Sequence, residues 1–230
     1  MKTEILEFVA GAKNAHGVVV IIDVFRAFSV ACYAFDSGAS QYIAVNDIRS
    51  AFELQKKYKN SVLIGERNEK KIDGFHFGNS PTEILQADLN GVTVIHTTTA
   101  GTNGLVNAKN ASVLLTGSLV NAGAIVKYIM SLEPENVSLV AMGYRATLSA
   151  EEDLLCANLI TERLKGNRPD FSKEISEMKS GAGCRFFEPA NIEFSPPSDF
   201  FLCTMIDRFN FVLKAERRYD GFIGLIKTDI

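Results

Sequence analysis

Residues 18–31 read VVVIIDVFRAFSVA, and the fold follows from this stretch. Val18, Val19, Val20, Ile21 and Ile22 form an unbroken run of β-forming apolar residues. A strand with one wet face alternates apolar and polar side chains. A run without alternation predicts a strand covered on both faces, central in an α/β sheet. Asp23 closes that strand, where open α/β sheets present their ligand-binding residues. Arg26 follows about one helical turn later and would bring a permanent cation to the same rim. An acid able to hold a metal, beside a cation able to hold an anion, points to phosphate chemistry. The plainer alternative is a buried Asp23–Arg26 ion pair at the strand end.

Working outward, strand then helix recurs along the chain. Strands are predicted at 3–8 on an edge, then at 42–45, 61–65, 92–95, 113–115 and 137–142. A helix at 27–35 ends at Ser37-Gly38, and Asp47 can cap another running to Lys57. Ser80-Pro81-Thr82-Glu83 reads as a helix start, with Ser80 at the cap, Pro81 at the first position and Glu83 reaching back. Further helices are predicted at 119–130 and from Ser149 to about Leu164, with Glu152 at the capping-box position. Strand–helix alternation of this kind is the pattern of a layered α/β sheet.

Beyond Gly166 the pattern loosens. Residues 170–179 are polar and read as helical. Residues 184–198, with Pro189, Pro196 and Pro197, read as a connecting arm. Residues 200–209 are apolar at helical spacing, and 211–213 and 222–226 read as late strands. No linker interrupts the chain, so residues 1–230 are expected to form one domain.

Composition narrows the function. Hydrophobic residues make up 47% of the 230, the share of a packed globular protein. A net charge of −3 argues against a nucleic-acid binder, which is usually basic on one face. No apolar run approaches the roughly 20 residues needed to span a bilayer. The first residues carry acids inside their only apolar patch and make a poor signal peptide. Cys32, Cys156, Cys184 and Cys203 are far apart, form no CxxC pair, and fit a reducing cytoplasm.

The chemistry-bearing residues gather at expected strand ends. Asp23 with Arg26, Glu66 with Arg67, GFHFGNSP at 74–81, TTTAGTNG at 97–104 and SAEED at 149–153 suit a phosphate and a divalent metal together. Carboxylates are hard oxygen ligands suited to Mg²⁺, which takes one or two acids plus substrate phosphate. Thr hydroxyls, Asn amides and Gly-exposed backbone N–H groups are neutral donors for phosphoryl oxygens. Duller readings stand beside these. Glu83 and Glu152 serve equally as capping-box acids. Thr97 to Thr99 could continue the strand, Glu66-Arg67 could be a surface pair, and His76 and His96 could be ordinary satisfied polar residues. Asp153 is harder to explain by capping. The loops match neither a Walker nor a dinucleotide fingerprint, and no G-x-S-x-G elbow occurs.

As a set, these motifs resemble the 2-phosphosulfolactate phosphatase family. IDVFRAFS is similar to that family's IDVLRATS, and GERNEKKIDGFHFGNSPTE to its GER-G-K-I-x-GFDLGNSPxE. TTTAGTNG is similar to TTTNGTRA, TGSLVNAGAI to GSxxNAxAV, and SAEEDLLCANLI to SxEDxxxAGxI. The matches run in order from Asp23 to Ile160. The resemblance implies a three-layer α/β/α sandwich around a mostly parallel or mixed sheet. It implies Mg²⁺-dependent hydrolysis of 2-phospho-3-sulfolactate to 3-sulfolactate, a step of coenzyme M synthesis. Asp23, Arg26, Glu66, Asn79, Ser80, Thr98, Thr99, Gly101, Thr102, Asn121, Glu152 and Asp153 match the motifs. His76, Phe28, Ala100 and Asn103 depart from them. Asn103 stands in place of an arginine that could hold an anion.

The reading that follows is a cytoplasmic Mg²⁺-dependent phosphatase for a small anionic phosphate ester. Asp23 and one of Glu66, Glu152 or Asp153 would hold the metal. Arg26 and the Thr98-Thr99 hydroxyls would neutralise the phosphoryl oxygens, and Asn79, Ser80, Gly101, Thr102 and Asn121 would bind substrate. Either a carboxylate orients the attacking water or Asp23 itself attacks. The alternatives are a phosphatase or phosphotransferase for another 2-phospho acid, and a non-catalytic phosphate-ester-binding module. Phe200, Phe201, Phe209 and Phe211 would either pack the core or meet a second copy in a homodimer.

Overall fold

The computed structural model describes all of residues 1–230 and arranges them on one mixed ten-stranded sheet. β1 (Lys2–Glu7) leads into α1 (Phe8–Asn14), β2 (Gly17–Ile22) into α2 (Ala27–Asp36), and β3 (Gln41–Val45) into α3 (Ile48–Lys57). β4 (Ser61–Arg67) turns back on the short β5 (Lys70–Lys71) before α4 (Pro81–Leu85). Then come β6 (Thr93–Thr97), α5 (Gly101–Asn107), β7 (Ala111–Gly117), α6 (Ala122–Leu132), β8 (Asn136–Ala141) and α7 (Glu151–Leu164). The rest of the chain adds α8 (Ser172–Glu177), α9 (Pro197–Cys203) and the hairpin of β9 (Phe211–Arg217) with β10 (Ile223–Asp229).

The sheet contains two parallel sets, β1-β8-β2-β7 and β3-β6-β4. The late hairpin joins them. β9 meets β7 antiparallel at Leu115–Lys214, and β10 lies antiparallel to β3. Three successive antiparallel pairings leave the sets running in opposite local directions. Neighbouring strands also rotate by roughly 20–25°, so the steps from β2 to β6 accumulate a turn beyond about 100°. That twist swings the carboxyl ends of the two sets toward each other. They touch directly: the Gly101 N–H, just past β6, donates to the Asp23 carboxylate, just past β2, at 2.9 Å.

Helix α2 lies inside this curl, with Ala27 through Phe35 all buried. One face of the sheet, including Val19, Ile21, Tyr42, Val94 and Leu213, packs on it. The other face packs Val18, Val20 and Ile22 against α6 and α7, while Ile43, Leu63 and Ile95 pack under α3. β2 is therefore covered on both sides, as its unbroken apolar run predicts, and the layers are α/β/α.

Two details differ from the expected elements. α1 was not foreseen: it leaves β1 at Phe8, whose backbone turns through a positive φ of 62° with no polar break in the sequence. α9 ends at Cys203, so Phe209 belongs to the approach to β9 and not to a helix. Phe200, Phe209 and Phe211 are buried and only Phe201 is half exposed, so most of the apolar tail packs inside. All four cysteines are free thiols, and no helix is long and apolar enough to cross a membrane.

Candidate active site

A cleft opens where the two carboxyl edges meet. Asp23 forms part of its wall and is 7% exposed. Its Oδ1 accepts the Ala27 N–H at 3.1 Å, at the start of α2, and its Oδ2 accepts the Gly101 N–H at the start of α5. Residue 101 has to be glycine here, because an added Cβ would lie 2.9 Å from Asp23 Oδ2. No cation bonds to Asp23. Burial pushes its pKa up to about 6, with Glu66 adding repulsion, against the lowering by the Ala27 and Gly101 amides and by Arg185.

Two more acids come from the first turn of α7. Asp153 accepts the Val24 N–H at 2.8 Å and the Gly143 N–H at 2.9 Å, tying the ends of β2 and β8 together. Burial, and after it Glu152 and Asp23, push its pKa well above the usual carboxylate range. Glu152 is 5% exposed, and its Oε2 has no hydrogen-bond partner. Burial pushes its pKa up to about 7. The expected capping box does not form. α7 begins at Glu151 with Ala150 at the cap, and the Ser149 hydroxyl turns away to Glu7 Oε2 at 2.5 Å. Glu152 is thereby left facing the cleft.

Glu66 comes from the end of β4. Its Oε1 accepts both the N–H and the hydroxyl of Thr99 at 3.0 Å, and its Oε2 accepts the Glu69 N–H at 2.9 Å. It clamps the loop after β6 and makes no ion pair with Arg67, which bonds instead to the Glu66 carbonyl and the Thr97 hydroxyl. Thr98 and Thr99 lie on the cleft wall beyond the strand, which ends at Thr97. Asn79 joins them, with its Oδ1 buried and unpartnered.

Arg26 is on the wall too but is 2% exposed and ion-paired. Its Nη1 donates to Asp199 Oδ2 and to the Phe194 carbonyl, both at 2.7 Å. The buried ion pair is thus made with Asp199 of α9 and not with Asp23. Asp199 also accepts the Ser80 hydroxyl and the Thr82 N–H through Oδ1, so it pins α9 to the start of α4.

Of the expected substrate-binding residues, Asn79, Thr98 and Thr99 line the cleft, whereas Ser80, Gly101, Thr102 and Asn121 stand behind it. Ser80 caps α4, the Thr102 hydroxyl donates to the Thr98 carbonyl, and Asn121 forms a capping box with Ser118 under β9. The departures from the family motifs also fall mostly outside. His76 is exposed and accepts the Leu63 N–H, Phe28 is in the core, and Asn103 donates to the Thr99 carbonyl. Only Ala100 is on the wall. His96 is buried beneath, with Tyr42 on its Nδ1, and burial pushes its pKa down to about 3.

Sequence reasoning missed Asn68, Glu69, Tyr144, Arg145 and Arg185, which line the wall beside Phe25 and Gly143. Arg185 donates to Glu69 Oε1 at 3.1 Å and to the Phe25 carbonyl at 3.2 Å, and its Nε is buried without a partner. Its charge lowers the pKa of both Asp23 and Glu152. It reaches the cleft from the arm after α8, and no motif in that arm marks it.

No three of these acids converge into a ready-made metal cage. The donor set still fits a hard, hydrated divalent cation. Glu152 Oε2 and Asn79 Oδ1 are buried oxygens without partners, beside an Asp23 that has no cation of its own. Mg²⁺ is held by one or two carboxylates, waters and substrate phosphate, which needs no closed protein cage.

The family model described as 2-phosphosulpholactate phosphatase matches residues 5–184. A protein named probable 2-phosphosulfolactate phosphatase from Caldanaerobacter subterraneus subsp. tengcongensis is 32% identical over 228 residues, covering 91% of this chain and 90% of that one. Proteins of the same name from Carboxydothermus hydrogenoformans and Thermotoga maritima are each 38% identical, over 153 and 148 residues. Those two matches cover 66% and 64% of this chain and 63% of each relative.

Proposed function

The chain belongs to the 2-phosphosulpholactate phosphatase family, and from that premise we propose that it is a phosphoric monoester hydrolase converting 2-phospho-3-sulfolactate to 3-sulfolactate and phosphate. The observation that carries this reading is the cleft itself. Buried acids without cation partners face unpartnered oxygen and nitrogen atoms where the two sheet edges meet. We read residues 1–230 as one domain, because both parallel sets contribute to that cleft, and the cytoplasm as its place of action.

Asp23, Glu152 and Asn79 would hold Mg²⁺. When bound, the ion supplies a Lewis acid for a phosphoryl oxygen. Phosphoryl transfer asks the protein chiefly for positioning and charge neutralisation. The Arg185 Nε–H, unpartnered and close to the acids, is the donor suited to the phosphoryl oxygens, whereas the Arg26 charge is already neutralised by Asp199. Thr98 adds its hydroxyl. Glu66 fixes the loop through Thr99, and Asp153 fixes the ends of β2 and β8. Both Asp23 oxygens already accept backbone N–H bonds, which favours attack by water over attack by Asp23.

Phosphate release from 2-phospho-3-sulfolactate and from 2-phospholactate, each with Mg²⁺ and with EDTA, tests the reading. Turnover of the first, abolished by EDTA, is expected. Turnover of 2-phospholactate alone would keep the chemistry and reject the substrate. Binding of both without phosphate release would favour a phosphate-ester-binding module.

A further inference from the structure

The three arginines on the cleft wall are not equivalent. Arg26 is consumed by Asp199 and the Phe194 carbonyl, and Arg185 bonds to Glu69 and the Phe25 carbonyl. Arg145 has no acid within salt-bridge distance and no hydrogen bond from its guanidinium, yet it lines the same cleft. It is exposed, but the turn that carries it is tightly specified. The Tyr144 N–H donates to the Leu148 carbonyl at 2.8 Å, and the Leu148 N–H returns to the Tyr144 carbonyl at 3.1 Å. Arg145 and Ala146 both take the left-handed conformation, with φ of 55° and 57°, which disfavours any residue with a side chain. Gly143 makes the turn possible: its φ is 72°, and a Cβ there would lie 2.4 Å from the Leu148 carbonyl oxygen. Asp153 anchors the Gly143 N–H from below.

The Tyr144 ring lies against two guanidinium groups at once. Arg145 stands 5.2 Å from its centroid and Arg185 5.5 Å. Two cations gathered on one aromatic ring repel each other, and Glu69 neutralises only Arg185. A guanidinium left over at the mouth of a cleft whose floor is acidic marks a place for an anionic group held away from that floor.

We propose that Arg145, set on the Tyr144 ring at the tip of the 143–148 turn, is the specificity residue that binds the substrate's second strongly acidic group, the sulfonate. This rests on the phosphatase reading above and adds the recognition of the group remote from phosphorus. A guanidinium presents several N–H donors in a fixed fork to an oxyanion, and Lys keeps the charge without the fork.

The test is Arg145→Gln and Arg145→Lys, assayed on 2-phospho-3-sulfolactate and on 2-phospholactate, with calorimetric titration of 3-sulfolactate and lactate. Arg145→Gln should raise KM for the sulfonate substrate about tenfold or more, the scale of a lost charge-assisted bond, with kcat within about threefold. KM for 2-phospholactate should move by less than about threefold, and Arg145→Lys should recover part of the loss. Equal shifts for both substrates, or none for either, would overturn the assignment. If neither substrate is hydrolysed, the phosphatase reading fails, and calorimetry still decides the subsite. Binding of 3-sulfolactate over lactate, lost in Arg145→Gln, supports it, and equal binding of the two ligands by the native protein overturns it.

Discussion

Asp23 and Arg26 stand three residues apart, and both are buried, but their surroundings are opposite. Arg26 is neutralised by an acid reached from 173 positions along the chain and is hydrogen-bonded to a carbonyl besides. Asp23 has amides for company, two neighbouring acids whose pKa values are raised as its own is, and no bonded cation. A buried charge whose partner is built in belongs to the framework. A buried acid without a cation partner weakens the fold at neutral pH, and that cost marks it as a candidate for chemistry. The contrast separates scaffold from chemistry within one turn of chain.

Substitutions can break each side of the contrast separately. The largest effect expected is on catalysis: Asp23→Asn should lower kcat by about a thousandfold or more, on the scale of losing a main electrostatic group. An unchanged kcat would remove Asp23 from the site. Arg26→Met should act on stability instead. It leaves Asp199 buried with no cation, which costs about 3–5 kcal/mol, read as a lower midpoint in urea denaturation. A stability change below about 1 kcal/mol would show that Arg26 is not structural.

Glu152→Gln sharpens the comparison through pH. The folded-state pKa of Glu152 is raised to about 7 from an ordinary 4.5, so its favourable contribution is complete below pH 4.5 and is lost as pH rises to 7. In EDTA the Gln variant should match the native protein near pH 4.5. It should exceed it at pH 8 by on the order of 2–3 kcal/mol, seen as a Tm several degrees higher. Mg²⁺ should then stabilise the native protein more than the variant. A Tm difference independent of pH would show that Glu152 is not buried and unpaired. The smallest effect is expected for His76→Asp, which restores the family's acid on an exposed edge. Phosphate release should change by less than about twofold, and a large gain would place position 76 in the cleft.

Asp23 was legible because it ends a strand that announces itself. Val18 to Ile22 is an unbroken apolar run, and the residue after it falls at the sheet's carboxyl edge whatever the rest of the chain does. Glu152 was ambiguous, since its spacing from Ser149 serves a capping box equally well, and only the turn of Ser149 toward Glu7 separates the two readings. Arg26 was read as either a substrate cation or the partner of Asp23, because its actual partner, Asp199, comes from a short helix far along the chain that no motif marks. Arg185 sits in a single 3-10 turn, residues Cys184–Phe186, and Arg145 in a loop, where residue type carries little positional signal. The β9–β10 hairpin was seen as two late strands, but not as the bridge between two parallel sets. Its place depends on pairings with β7 and β3, which are far away in the chain.

That bridge also orders events in time. Asp23, Glu66, Thr98 and Glu152 all precede the hairpin, so a ribosome releases every acid of the cleft before the strands that hold its two walls together. Until β9 and β10 dock, the halves have no continuous sheet between them, and pairings of such long sequence separation form slowly. A growing chain therefore carries the residues of both cleft walls before the strands that unite those walls in one sheet, and the framework of the cleft is complete only once the hairpin has docked.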